Sequence, residues 1–263
     1  AVPAGHKVAL VDIAKGESVI KYGFAIGAAT TDIKAGEHIH SHNLATKLSG
    51  QINYRYDGCQ AQPLAFPAGL PTEFMGYRRS NGKVGTRNEL WIINTVGCVN
   101  RAAMRVAEQA RKQYGDDIDG IYAFTHPFGC SQLGDDLDHT RRLLAGLIQH
   151  PNAGGVLVMG LGCENNQLSK LLAASPGVDL SRIRSFNAQQ VEDEIEQGLA
   201  AVEELVAKMR DDKRTPCPVS DLVMGMKCGG SDGLSGLTAN PLVGRIADLV
   251  AAANGKVVLT ETP

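Results

Sequence analysis

Aromatic residues are scarce in this chain, at 5% of 263 positions with a single tryptophan. A core built from it must be aliphatic, and the 43% of hydrophobic residues suffices for one. Net charge is nearly absent too, at −2, which argues against a nucleic-acid or polyanion binder, since those need a basic face. No run approaches the ~18 apolar residues of a membrane span, and no signal-peptide pattern opens the chain. The six cysteines include no C-x-x-C pair, so zinc-finger and thioredoxin-like motifs are set aside, and their wide spacing is unlike a disulfide framework. Reduced thiols in a cytoplasm are the expectation. Neither a G-x-G-x-x-G fingerprint nor a Walker-type P-loop occurs. The chain starts at Ala1 without methionine and stops at Pro263 just after KVVLTE, so it is expected to be a piece of a longer protein.

What is present is a change of pattern along the chain. Residues 1–45 hold β-branched runs (HKVALVDI, VIKYG, ATTDI) separated by KGE and KAGE turns, which read as short strands. Residues 46–73 are polar and then proline-rich, a linker composition. Over 74–263 strands and helices alternate, with strands expected at LWIINTV (90–96), GIYAFT (120–125), GVLVMGL (155–161), RIRSFN (182–187), DLVMGM (221–226) and KVVLTE (256–261). Between them, Val191, Ile195, Leu199, Val202, Leu205 and Met209 give a one-faced helical pattern. A later helix is bracketed by Asn240–Pro241 and Gly255. Apolar strands alternating with helices predict a parallel sheet covered on both faces.

Four turns carry a cysteine where such a strand ends: Cys98, Cys130, Cys163 and Cys228. In a parallel sheet these turns gather at the carboxyl ends of the strands, where open α/β proteins place their chemistry. Helix starts (VNRAAMR, SQLGDDLD, ENNQLSKLL) are expected directly after the first three. There they would favour anion binding and the thiolate form. The alternative is a small hydrophobe filling a tight junction. His126, four residues before Cys130, reads either as ligand or proton carrier at the same edge, or as a turn histidine satisfied by backbone. His38, His40 and His42 would share one face of a strand, a surface suited to a metal or a polyol, or merely a polar exterior. Arg78, Arg79 and Arg87 could clamp a carboxylate. CGGSDGLSGLTANP, with Asp232, resembles an oxyanion cradle.

Taken in order, GHKVALVDIAKGESVIKYG, AGEHIHSHNL, GKVGTRNELWIINTVGCVN, THPFGCSQLGDD, NAGGVLVMGLGCENNQ and CGGSDGLSGLTANP resemble the altronate dehydratase/galactarate dehydratase family from end to end. The histidine-rich segment is similar to the altronate branch. The resemblance implies an antifreeze-like β-clip (SAF) domain followed by a parallel-sheet, Rossmann-like α/β domain. It also implies loss of water from a sugar acid such as D-altronate to give a 2-keto-3-deoxy acid. A divalent metal is implied, iron(II) first and manganese second. An iron–sulfur cluster on three of the four cysteines, or a non-catalytic sugar-acid binder, is the rival reading. Family motifs fall on His6, Lys7, His40, His42, Arg78, Arg87, Asn88, Cys98, His126, Cys130, Cys163, Glu164, Ser231, Asp232 and Asn240. The expected roles are proton transfer by His126, Cys130, His40 and His42, and substrate binding by His6, Lys7, Arg78, Arg87, Asn88, Glu164, Ser231, Asp232 and Asn240. Metal ligation is expected at Cys98, Cys130, Cys163 and Cys228. A homodimer and no nucleic-acid or membrane partner complete the expectations.

Overall fold

A computed structural model describes residues 2–47, 64–227 and 234–260. Most of the expected linker, and Cys228, Ser231 and Asp232, lie outside the described residues. The backbone gathers into two compact units, Ala1–Leu70 with Leu222–Pro263, and Pro71–Asp221.

In the first unit, strands β1 (Lys7–Val8), β2 (Ser18–Lys21), β3 (Phe24–Ala29), β4 (His38–Ile39) and β5 (Leu44–Ala45) form two small antiparallel sheets, β1-β4 and β2-β3-β5. The two turns DIAKGE (12–17) and DIKAGE (32–37) build the same structure twice. Ile13 and Ile33 exchange N–H···O bonds of 2.8 Å in both directions. Asp12 Oδ1 accepts from Ala35 N–H at 2.9 Å, and Asp32 Oδ1 accepts from Lys15 N–H at 2.8 Å. Glu17 and Glu37 each cap their own turn, accepting from Ala14 and Lys34 N–H. Gly16 and Gly36 both adopt positive φ, 88° and 85°, which a side chain would resist. The interior between the repeats is Ala9, Val19, Ala29, Ile33 and Ile39.

The second unit runs β6 (Glu73–Arg78), β7 (Val84–Gly85), β8 (Glu89–Asn94), α1 (Asn100–Tyr114), β9 (Gly120–Phe124), α2 (Gly134–Ile148), β10 (Ala153–Gly160), α3 (Leu168–Ala173), β11 (Ile183–Asn187), α4 (Glu194–Met209) and β12 (Thr215–Pro218). Four strands make a wholly parallel sheet in the order β11-β10-β8-β9. Strands β8 and β10 are buried on both faces because their side chains alternate between two apolar layers. Leu90, Ile92, Leu157 and Met159 meet α1 and α4. Trp91, Ile93, Val156 and Val158 meet α2 and α3. Gly198 lets α4 close on α1, since a Cβ there would come within 2.6 Å of Val106. A second sheet, β12-β6-β7, is antiparallel.

Among the described residues, the remaining strands, β13 (Val223–Met226) and β14 (Lys256–Leu259), pair only with each other, in parallel, around α5 (Ala239–Ala252). This corrects the expectation of one sheet over 74–263: four strands share it and two do not. Sequence alternation cannot reveal the division, because pairing partners are non-local. Burial does, since β13 and β14 are largely exposed where β8 and β10 are not. α4 begins after Val191, at Asp193, whose carboxylate accepts from Ile195 and Glu196 N–H. Asn240 lies inside α5, and Asn254, with φ of 61°, takes the left-handed position before Gly255. No helix among the described residues is long and apolar enough to cross a membrane.

Candidate active site

The order β11-β10-β8-β9 reverses direction between β8 and β10. The chain leaves β8 toward β9 on one side, then crosses back to β10 on the other. A crevice opens at such a reversal, beyond the carboxyl ends of the two strands. Here those ends carry Thr95 after β8 and the loop Leu161–Gln167 after β10.

Glu164 anchors this crevice. It is 2% exposed, and its carboxylate accepts hydrogen bonds from the Thr95 hydroxyl, from Leu161 N–H at 3.1 Å and from Gly162 N–H at 2.6 Å. Burial by itself would raise its pKa, yet the Thr95 hydroxyl and the backbone N–H groups of Glu164, Gly162 and Leu161 together hold it below the ordinary carboxylate value. Asn166, also buried, donates to Thr95 C=O at 3.2 Å and accepts from Arg141 at 3.2 Å. The loop after β10 is thus tied to the end of β8 by the hydrogen bonds of Glu164 and Asn166 to Thr95, while the buried Asn94 Oδ1 at the end of β8 has no partner among the described residues. Glu164, expected to bind substrate, spends both oxygens on the loop itself.

The thiol turns surround this network. Cys98 sits in a single 3-10 turn (Gly97–Val99) that runs straight into α1. Cys130 and Cys163 precede α2 and α3 by four and five residues, so the expected direct helix start holds for Cys98 alone. All three thiols are exposed. Their loops are stitched together: Gly97 N–H donates to Phe128 C=O at 2.8 Å, and Asn165 N–H to Cys130 C=O at 2.9 Å. A Cβ at Gly97 would meet His126 C=O at 2.8 Å, so only glycine permits this approach. No group of three His, Cys, Asp or Glu among the described residues converges on a common metal position. The thiols therefore share an edge without presenting a preformed cluster cage.

His126 uses both ring nitrogens on backbone. Nε2 lies 3.1 Å from Asn94 C=O and must donate, while Nδ1 accepts from Phe128 N–H at 3.3 Å. That assigns the neutral Nε2–H tautomer. Asn100 fixes the same loop, donating to His126 C=O at 2.9 Å, and accepts from Asn94 at 2.8 Å. Asn94, Thr95, Asn100 and Asn166 were missed by sequence reasoning. Their signal was the set of polar residues flanking each cysteine turn, in NTVGCVN and GCENNQ.

The arginines fall elsewhere. Arg79, Arg87 and Asn88 sit before β8, at its amino end, and β8 is six residues, roughly 20 Å of strand. Arg78 pairs with Asp221 at 3.0 Å. Arg79 binds Pro151 C=O, Arg87 C=O, Asn88 Oδ1 and Asp212. Asn88, 4% exposed, also donates to Met209 C=O. The expectation that Arg78 or Arg87 clamps a carboxylate together with the turns of Cys130 and Cys163 is therefore corrected: a parallel strand puts its two ends on opposite edges of the sheet.

In the first unit the histidines do assemble, though not through strand alternation. Only His38 lies in a strand, and residues 41–43 form a turn. Asn43, 6% exposed, holds that turn by accepting from His40 N–H at 3.0 Å and donating to His38 C=O at 3.0 Å. The β1-β4 register pairs Lys7 with Ile39 and Val8 with His38, so His6 arrives opposite His40. His6 lies 5.0 Å from His38 and 5.2 Å from His40 between ring centroids, and His42 lies 5.4 Å from His38. Desolvation, then the neighbouring imidazoles of His6, His42 and His40, lower the His38 pKa. Lys7 is exposed in β1.

Residues 1–47 match the altronate/galactarate dehydratase SAF domain, 76–210 the D-galactarate dehydratase/altronate hydrolase second domain, and 219–263 the D-galactarate/altronate dehydratase C-terminal region. The chain belongs to this family. It is 50% identical over 264 residues to altronate dehydratase of Escherichia coli K12, covering 100% of this chain and 53% of that protein. Altronate dehydratase of Bacillus subtilis 168 is 47% identical over 265 residues, with the same 100% and 53% shares. Galactarate dehydratase (L-threo-forming) of Escherichia coli K12 is 33% identical over 284 residues, covering 99% and 52%. The chain spans about half the length of these curated relatives. Within the family, identity to the altronate dehydratases exceeds that to the galactarate dehydratase, as the histidine-rich segment had suggested.

Proposed function

We propose that this chain carries part of the catalytic apparatus of a hydro-lyase that removes water from a polyhydroxy carboxylate, D-altronate being the first candidate, to give a 2-keto-3-deoxy acid. The observation that carries this reading is identity of 47–50% to two altronate dehydratases along the whole chain. The reversal of strand order, with its crevice and three exposed thiols, supports the Rossmann-like reading of the second unit and the placement of chemistry there.

The reaction breaks the C2–H bond, moves that electron pair into a C2=C3 bond and expels the C3 hydroxyl as water. The resulting enol becomes the 2-keto group. Two proton transfers are required, one from C2 and one to the departing hydroxyl. Within the α/β unit the exposed thiol of Cys130 is able to exchange protons; the exposed imidazoles of His40 and His42 are the corresponding groups of the first unit taken by itself. His126, engaged at both nitrogens, holds the loop that presents Cys130. A bound divalent metal, iron(II) or manganese, would supply Lewis-acid stabilisation of the charge developing on the carboxylate. The cytoplasm is the compartment proposed from the reduced thiols, and a homodimer the assembly.

The test is an anaerobic assay of the complete protein, with and without ferrous iron or manganese, against altronate, galactarate and other sugar acids. Formation of a 2-keto-3-deoxy product from altronate supports the reading. Product from another acid alone moves the specificity, and absence of product throughout overturns it.

A further inference from the structure

We propose that an apolar groove of the first unit is the seat of the remaining C-terminal region of this protein, the part that lies outside these 263 residues. The groove, about 750 Å³, is lined by Val8, Leu10, Val11 and Ile20, with Tyr22. Leu10 is 90% exposed and Val11 64%. Against these stand five buried apolar side chains over residues 1–47, namely Ala9, Val19, Ala29, Ile33 and Ile39, two of them alanine. No cysteine falls in that stretch, so no disulfide supplements so small a core. Apolar side chains left in the open beside such a core mark an interaction surface.

The surroundings of the groove select its occupant. Tyr22 packs directly on Gly236, where a Cβ would find no room. Gly236 belongs to the stretch 219–263 that matches the family's C-terminal region, and both residues lie in the same compact unit. That region thus already sits beside the groove. It also carries an uncovered face of its own, with Leu242, Val258 and Leu259 exposed. Among the described residues its parallel sheet has two strands, β13 and β14, whereas parallel sheets are covered on both faces. The chain spans 52–53% of its curated relatives, so nearly as much chain again is there to supply the cover. Charge argues against a second copy as the occupant. Lys7 and Lys21 line the groove, and among the described residues no Asp or Glu does. A copy docked about a two-fold axis would bring these lysines together, while a different segment can bring carboxylates to them. His6 lines the same groove, so the seated segment also walls one side of the histidine corner. The inference does not rest on the dehydratase reading, and its readout is contact, not turnover.

The experiment places a photo-cross-linking benzophenone amino acid at Leu10 of the complete protein. The same group at Lys15, exposed outside the groove, is the control. Cross-linked peptides from outside these 263 residues are expected from position 10 and not from position 15. Cross-links confined to residues 1–263, a dimer joined through two copies of residues 1–47, or no cross-link at all overturns the proposal. Should the bulky group disturb folding, Leu10→Cys and Val11→Cys test the same cover by alkylation and peptide mass spectrometry. Their thiols should react at least about tenfold more slowly than that of Lys15→Cys in the native protein, and at the same rate in denaturant. Equal rates in the native protein overturn the proposal.

Discussion

The crevice of the α/β unit and the histidine corner of the small unit organise polar side chains in opposite ways. In the crevice, Glu164 and Asn166 are buried and every bond they make runs to the protein itself. In the corner, four imidazoles face solvent or each other, and a single buried residue, Asn43, braces the turn that carries three of them. Buried polar groups left without partners cost far more than exposed ones. The crevice network is therefore part of what holds the fold, whereas the imidazoles are carried by a fold that does not need them.

The comparison can be broken most severely at Glu164. Glu164→Ala strands the Leu161 and Gly162 N–H groups and the Thr95 hydroxyl, and should cost about 2–3 kcal/mol, read from denaturant midpoints at constant m. The same carboxylate gives a pH signature. Its folded pKa lies below the ordinary value of about 4.3, so its contribution is complete above that value and is lost as pH falls through the depressed one. Acid titration of stability below about pH 5 should be flatter in Glu164→Gln than in the parent. Equal slopes in both would show that Glu164 is not held as a carboxylate.

Asn43→Ala comes next, at about 1–2 kcal/mol, because one side chain closes two backbone bonds. It should also disperse the histidine ring resonances in NMR spectra. The smallest effect belongs to His42→Ala, within about ±0.5 kcal/mol, as for an exposed residue outside any brace. A loss of 2 kcal/mol or more there, on the order of a buried cavity mutant, would mean that the corner is structural after all.

Much of this was legible in the residues. Strands β8, β9, β10 and β11 declare themselves by continuous apolar runs, and the thiol turns by their recurrence where those runs end. The gathering of Cys98, Cys130 and Cys163 on one edge follows from parallel pairing alone. Other points were not legible. LVMGM and KVVL read like the strands before them, yet among the described residues they pair only with each other, since no local pattern records a partner. Arg87 is only eleven residues from Cys98 in sequence, but an intervening strand puts them on opposite edges. Asn94, Thr95, Asn100 and Asn166 look like ordinary polar loop residues until the crevice closes around them.

Sequence by itself determined the element types, the repeated DI-x-x-GE turns, the family and the residues able to do chemistry, because these depend on local propensity, periodicity and motif. Tertiary structure alone decided which strands share a sheet and where the strand order reverses. It also decided that Glu164 and His126 are spent on holding loops, and that His6, distant in sequence, completes the histidine corner. Those outcomes depend on contacts between residues far apart in the chain, and a carboxylate or an imidazole becomes brace or reagent only when its neighbours are in place.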